Sequence, residues 1–168
     1  MASADHNEVL IVYHSLTGGT EQMARAAGRG AAVEGDVKVM LKRAEDTGPE
    51  DLLRAQGYVF AAPENLATMA GRMKDFFDRT YYAALERLNG RPYCTLICAG
   101  TDGRGAAQQI ERIALGWRLK PIADPLIVIT HASAPEDIFK PKLIPADRLA
   151  ACEELGRTLA AGLSLGIF

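Results

Sequence analysis

Five apolar, β-rich runs recur along the chain, at residues 8–13, 37–41, 58–62, 93–99 and 126–130, with segments of helical spacing between them. Several of these runs are unbroken rather than alternating, the pattern of strands buried on both faces of a parallel sheet. Parallel neighbours need a crossover, and the intervening segments supply it. Residues 20–33 carry Met23, Ala24, Ala27 and Ala31 along one stripe, with Thr20 as N-cap followed by Glu21. Residues 49–55 read as a short helix. Residues 70–88 repeat apolar side chains at Met73, Phe76, Phe77, Tyr81, Leu85 and Leu88, close to a helical period. Residues 105–119 form a fourth helix, and residues 146–163 a fifth with Leu149, Cys152, Leu155, Leu159 and Leu163 on one side. Successive βαβ units with right-handed crossovers give an α/β, doubly wound parallel sheet with helices on both faces. Two five-stranded arrangements satisfy this pattern, the order 2-1-3-4-5 and half of a dinucleotide-binding fold. In either, ligands bind beyond the carboxyl ends of the strands, so the residues just after each strand are the ones to inspect.

The bulk properties bound the partners. A chain of 168 residues fits one domain, taken here as residues 1–168, and 48% apolar with 24% charged residues is a globular profile. A formal charge of −2 argues against a basic nucleic-acid surface and is milder than the acidic face of a dedicated electron shuttle. The start, MASADHNEVLIVYHS, lacks the basic region of a leader, and no run approaches the ~20 apolar residues of a membrane span. The apolar tail at residues 163–168 suits packing or a subunit contact. If Cys94 and Cys98 share one strand they stand ~13 Å apart, beyond the ~7 Å that a disulfide tolerates. Cys152 sits on a predicted helix as a core residue. The expected compartment is cytoplasmic. Residues 131–145, with three prolines, read as a long surface loop.

Three inter-element segments carry the chemistry. After the first strand comes His14-Ser15-Leu16-Thr17-Gly18-Gly19-Thr20, leading directly into a helix. Such a turn presents backbone N–H groups and hydroxyls to an anion. It contains no Lys or Arg and lacks the GK[ST] ending of a Walker A loop. The segment Ser15-Leu16-Thr17-Gly18-Gly19-Thr20 resembles the flavodoxin phosphate loop, [ST]-x-T-G-x-T. The resemblance implies the flavodoxin-like strand order 2-1-3-4-5 and an FMN phosphate cradled by Ser15, Leu16, Thr17, Gly18, Gly19 and Thr20.

After the third strand, Pro63-Glu64-Asn65-Leu66-Ala67-Thr68-Met69-Ala70-Gly71 runs into Arg72-Met73-Lys74-Asp75-Phe76-Phe77-Asp78-Arg79. A Pro-initiated loop of small and amide residues suits a flat ligand lying against backbone. The segment resembles the corresponding part of NAD(P)H-dependent FMN reductases and WrbA-like quinone reductases. That resemblance implies contact of the isoalloxazine ring with Pro63, Glu64, Asn65, Leu66 and Met69, while Phe76 and Phe77 belong to the core. After the fourth strand, Gly100-Thr101-Asp102-Gly103-Arg104-Gly105 permits close backbone approach through its glycines. By position it matches the third FMN loop, implying contacts from Gly100, Thr101, Asp102, Gly103 and Gly105.

Two other motifs share that third loop. Cys98 and Arg104 fit C-x5-R, the phosphate loop of cysteine phosphatases, although Gly105 stands where a hydroxyl would assist the thiolate. Gly103-Arg104-Gly105-Ala106-Ala107-Gln108 is a near miss to G-x-G-x-x-G. His14 and His131 each follow a strand, and His131 is the weak catalytic candidate, as a proton donor to a reduced acceptor. No metal-ligand spacing is present, and Trp117 reads as packing at the opposite edge of the sheet. Flavodoxins usually cover the flavin with an aromatic residue from the second or third loop, and neither loop here contains one. The resemblance therefore implies an oxidoreductase passing electrons from NAD(P)H through FMN to a quinone or similar small acceptor, as a homo-dimer or tetramer. The alternative is a flavodoxin-type electron carrier docking on protein partners, or a flavin-binding interaction module.

Overall fold

The computed structural model describes residues 7–168, so the first six residues of the start that was read for a leader lie outside the described part. The elements follow in the order β1 (Asn7–Tyr13), α1 (Gly19–Ala31), β2 (Val37–Arg43), a 3-10 turn (Ala44–Asp46), α2 (Pro49–Arg54), β3 (Gly57–Asn65) and β4 (Thr68–Met69). They continue as α3 (Gly71–Ala84), β5 (Pro92–Ala99), α4 (Arg104–Gly116), β6 (Lys120–Pro121), β7 (Leu126–Ile129), α5 (Pro135–Ile138) and α6 (Ala146–Ser164). The five expected strands form one parallel sheet in the order β2-β1-β3-β5-β7, the flavodoxin-like 2-1-3-4-5 arrangement.

Two short strands were not expected. β6 pairs with Pro92 and Tyr93 at the start of β5, while β7 pairs with Leu96–Ala99 at its end, so the edge strand comes in two pieces. Pro121 and Pro125 bracket the break, because proline removes the donor a ladder needs. β4 turns back antiparallel on β3, making the segment after β3 a hairpin rather than an open loop. The stretch 131–145 is largely exposed as expected, but contains the single turn α5.

The unbroken apolar runs are explained by two cores, one on each sheet face. Leu10, Val12, Tyr58, Phe60 and Ile97 face α2, α3 and α4. Phe60 lies at the centre of an aromatic cluster there, with the rings of Phe76, Phe77, Tyr93 and Trp117 all within 6.3 Å of its centroid. Trp117 is fully buried and donates its indole N–H to the Tyr81 carbonyl at 3.0 Å. Val9, Ile11, Val59, Leu96 and Cys98 face α1 and α6. Those two helices cross so closely that a Cβ on Gly30 would lie 1.8 Å from the Glu153 carbonyl oxygen, and one on Gly156 would lie 2.0 Å from that of Ala27.

In this order the crossovers reverse direction between β1 and β3, and the ladder between the two strands runs on to the first residue after β1, where the His14 N–H donates to the Ala61 carbonyl within β3 at 3.1 Å. Gly156→Ala tests the helix contact. Helix propensity alone favours alanine by about 1 kcal/mol, whereas overpacking costs roughly 1–3 kcal/mol. Because the clash is with backbone, we expect a net loss of stability, read as a melting temperature lower by roughly 2–4 °C per kcal/mol. Gly35→Ala, with open space around it, should leave the melting temperature within the effect of about 0.5 kcal/mol.

Candidate functional site

The turn from β1 to α1 is built around two glycines. Gly18 takes φ 89°, a conformation that side chains resist, and its N–H donates to the Ser15 hydroxyl at 3.1 Å. Gly19 rests on Cys98, whose Sγ would lie 2.7 Å from any added Cβ. α1 therefore starts without a side-chain cap. The amides of Leu16, Thr17, Gly19, Thr20 and Glu21 find no acceptor among the described residues. Several unsatisfied N–H groups at the positive end of a helix dipole are the donor chemistry of a phosphate monoester seat.

No cation inside the turn supplements those dipoles. Arg25 pairs with Glu21 at 2.8 Å. The Lys142 ammonium donates to the carbonyls of Asp137, Ile138 and Lys140. His14 borders the turn with a buried Nδ1 that has no hydrogen-bond partner, 4.0 Å from the Glu45 carboxylate. Burial lowers its pKa below the ordinary value while Glu45 pulls the other way, so the ring is neutral near pH 7.

A strap from the 131–145 stretch crosses the same turn, a feature with no sequence signal. The Lys142 N–H donates to the Thr17 carbonyl at 2.8 Å. The Gln22 side-chain amide donates to the carbonyls of Gly18 at 3.0 Å and Lys142 at 2.7 Å, and its oxygen accepts the Ile144 N–H at 3.1 Å. A cleft of about 440 Å³ opens between the end of β7 and this strap, bordered by His131, Asp137 and Lys140. His131 itself is exposed, with φ 62°.

The β3–β4 hairpin carries the second group of expected residues. Its two turn residues, Leu66 and Ala67, have φ of 52° and 65°, the signature of a type I′ turn, though neither is glycine. Asn65 and Leu66 are exposed at the tip, Leu66 almost completely, and Pro63 is half-buried. Met69 is buried in the core, and its N–H donates to the Gln109 side chain at 2.8 Å. Glu64 acts inside the fold: its Oε1 accepts the Gly103 N–H at 2.9 Å and its Oε2 the Ala106 N–H at 3.1 Å.

The third loop packs against these neighbours. A Cβ on Gly100 would lie 2.3 Å from the Ala132 carbonyl oxygen, and one on Gly105 would lie 2.0 Å from that of Ala67. Thr101 and Asp102 are exposed, and Asp102 pairs with Arg104 at 2.7 Å. Gly103, at φ 89°, opens α4 just as Gly18 opens α1. The two helix starts differ in one respect. At α4 a carboxylate from the chain itself fills the anion position, whereas at α1 no side chain does.

This contrast removes the cysteine-phosphatase alternative. At the start of α4 Glu64 takes the Gly103 and Ala106 amides and Asp102 the Arg104 amide, and the Arg104 guanidinium pairs with Asp102 on the surface. Burial pushes the Cys98 thiol up to about 11, only partly offset by Lys142, so no thiolate forms near neutral pH. The near-miss G-x-G-x-x-G segment opens the same helix and meets the same internal carboxylate. Among the described residues there is no group of His, Cys, Asp or Glu placed to hold a metal ion, and no helix long and apolar enough to cross a membrane.

Comparison with known proteins agrees with this architecture. The family model for NADPH-dependent FMN reductase matches residues 49–134, just over half of the chain. A flavodoxin of Aquifex aeolicus is 31% identical over 98 residues, covering 58% of this chain and 53% of its own length. An NAD(P)H dehydrogenase (quinone) of Acidithiobacillus ferrooxidans is 31% identical over 94 residues, covering 44% of this chain and 47% of its own. The chain thus spans about half the length of the curated relatives it matches. Among solved structures, an archaeal flavodoxin superposes with a TM-score of 0.72 at 20% identity, over 94% of this chain and 99% of its own. A WrbA-like flavodoxin from Agrobacterium tumefaciens gives 0.72 at 16% identity, over 95% and 98%. At such identities the structures establish the shared fold.

All three cysteines are free and buried. Burial raises the Cys94 thiol and pushes Cys152 up to about 12. A thiol titration of the native protein at pH 7.5 should therefore detect none of them within minutes, and all three after denaturation. A rapidly reacting native thiol would contradict the packing of Cys98 beneath Gly19.

Proposed function

The chain belongs to the NADPH-dependent FMN reductase family, a flavodoxin-like group of FMN proteins, and on that premise we propose that it is an oxidoreductase carrying electrons from NAD(P)H through FMN to a quinone or similar small acceptor. When bound, FMN supplies the hydride and electron chemistry, and the protein supplies placement and electrostatics. Ser15, Leu16, Thr17, Gly18, Gly19 and Thr20 hold the phosphate, through the unsatisfied amides of the turn, its hydroxyls and the α1 dipole. Pro63, Asn65 and Leu66 on the hairpin and Gly100, Thr101 and Asp102 on the third loop border the ring. Glu64, Met69, Gly103 and Gly105 hold those borders in place from behind.

One observation favours a substrate-processing enzyme: neither the hairpin nor the third loop carries an aromatic side chain. The aromatic residues nearest in sequence, Phe60, Phe76, Phe77 and Tyr93, are locked in the core. Exposed aromatics stand elsewhere, with Tyr82 on α3, Phe139 in the strap and Phe168 in the tail. An uncovered ring face leaves room for a nicotinamide or quinone to stack within transfer distance. A second copy of the chain, in a dimer or tetramer, would exclude water from that face. His131, exposed beyond β7, is the candidate proton donor to a reduced acceptor.

The flavodoxin relative supports a second reading, an electron carrier that docks on protein partners. Anaerobic addition of NADPH or NADH to the FMN-loaded protein separates the two. Bleaching of the flavin absorbance supports the reductase, and bleaching by dithionite alone supports the carrier. Thr17→Ala tests the phosphate seat. Loss of one hydrogen bond to a charged group is worth about 1.5–3 kcal/mol, so FMN affinity should fall roughly ten- to a hundredfold while riboflavin affinity holds. Unchanged FMN affinity would refute this placement of the phosphate.

A further inference from the structure

We infer that Glu64 is a positioning residue that locks the β3–β4 hairpin and the third loop into one preformed seat for the flavin ring, a role that rests on the proposed FMN site. Glycine opens α4 and brings no capping side chain, so the helix start depends on groups from elsewhere. Asp102 accepts the Arg104 N–H at 3.3 Å. Glu64, 39 residues before Gly103 and 42 before Ala106, supplies the main cap through both carboxylate oxygens. Most helix caps are local and fix only the entry of their own helix. This one comes from the hairpin, so the same two bonds that complete α4 also tie down the strand leading to Asn65 and Leu66.

Two further contacts hold the same joint. Gln109, on the second turn of α4, accepts the Met69 N–H on the returning strand. Gly105 lets the Ala67 carbonyl come so close to α4 that a Cβ there would sit 2.0 Å from the oxygen. The hairpin is thus fastened at Glu64 on one strand, at Met69 on the other and at Ala67 in the turn. The turn between them holds two non-glycine residues at positive φ, a strain that persists only where the surroundings over-determine it. The charge of the cap is also favourable, since a carboxylate at the start of α4 meets the positive end of its dipole. Releasing this joint leaves the phosphate turn untouched, because that turn is held by Gln22 and the strap instead.

The test compares binding of riboflavin and FMN to wild type, Glu64→Ala, Glu64→Gln and Gly105→Ala, with far-ultraviolet circular dichroism to establish folding. Glu64→Ala should weaken both flavins by the same factor, roughly tenfold or more, leaving the FMN-to-riboflavin affinity ratio unchanged. Visible circular dichroism of the bound flavin, which reports how the ring is held, should change as well. Glu64→Gln keeps one acceptor and loses the charge, so it should restore part of the affinity. Gly105→Ala, whose Cβ would lie 2.0 Å from the Ala67 carbonyl oxygen and 3.3 Å from Glu64 Oε2, forces the hairpin tip off α4 while the carboxylate itself is kept, so it should give the same pattern and decides the matter if Glu64→Ala does not fold. Folded variants with wild-type riboflavin affinity and an unchanged visible spectrum would overturn the role of Glu64 alone. A selective loss of FMN over riboflavin would overturn it too, by moving Glu64 to the phosphate. Failure of the wild-type protein to bind either flavin would overturn the FMN site itself, and this inference with it.

Discussion

Unsatisfied backbone amides at two helix starts organise the carboxyl edge of this sheet. α1 and α4 begin in the same way, each from a glycine at φ 89° that contributes no capping side chain. A buried or half-buried N–H without an acceptor costs about as much as a lost hydrogen bond, so each start needs an anion or a substitute for one. The chain answers internally at α4 with Glu64 and leaves α1 open. That asymmetry is the ground for proposing the α1 start, and not the third loop, as the seat of an external phosphate.

The rest of the fold holds those two helix starts at a fixed separation. Two-sided burial of β1, β3 and β5 sets the sheet as a rigid plane, with the aromatic cluster around Phe60 on one side and the α1–α6 pair on the other. The close crossing of α1 and α6 at Gly30 and Gly156 fixes α1 from beneath. Cys98 then supports Gly19 from β5, so the β1–α1 turn is braced by a strand whose own end leads into the third loop. Cysteine serves there as a small apolar side chain, protonated and packed, rather than as a nucleophile.

Much of the architecture was legible in the residues themselves. Strand runs such as 93–99 announced two-sided burial by being unbroken, and the stripe from Met73 to Leu88 announced α3 by its period. The SLTGGT turn was legible because its chemistry is local: six consecutive residues hold the hydroxyls, the glycines and the helix start together. Gln22 and Glu64 were not legible as a latch and a remote cap. An amide one turn into a helix, or a glutamate in a loop, looks the same whether it faces solvent or a distant backbone. The hairpin was hidden for another reason, since Leu66 and Ala67 are not residues that advertise a left-handed turn.

The sequence by itself therefore determined the sheet, its order through the resemblance, and the position of the glycine-rich turn proposed to bind the phosphate, because each depends on neighbours in the chain or on a repeating period. Only the tertiary structure decided how the three loops are held and which helix start remains open. Those outcomes depend on partners far apart in the chain, such as Glu64 with Gly103, 39 residues away, and Gln22 with Ile144, 122 residues away. Hydrogen-bond pairing at that range is set by the packing of whole elements, and no local pattern of side chains encodes it.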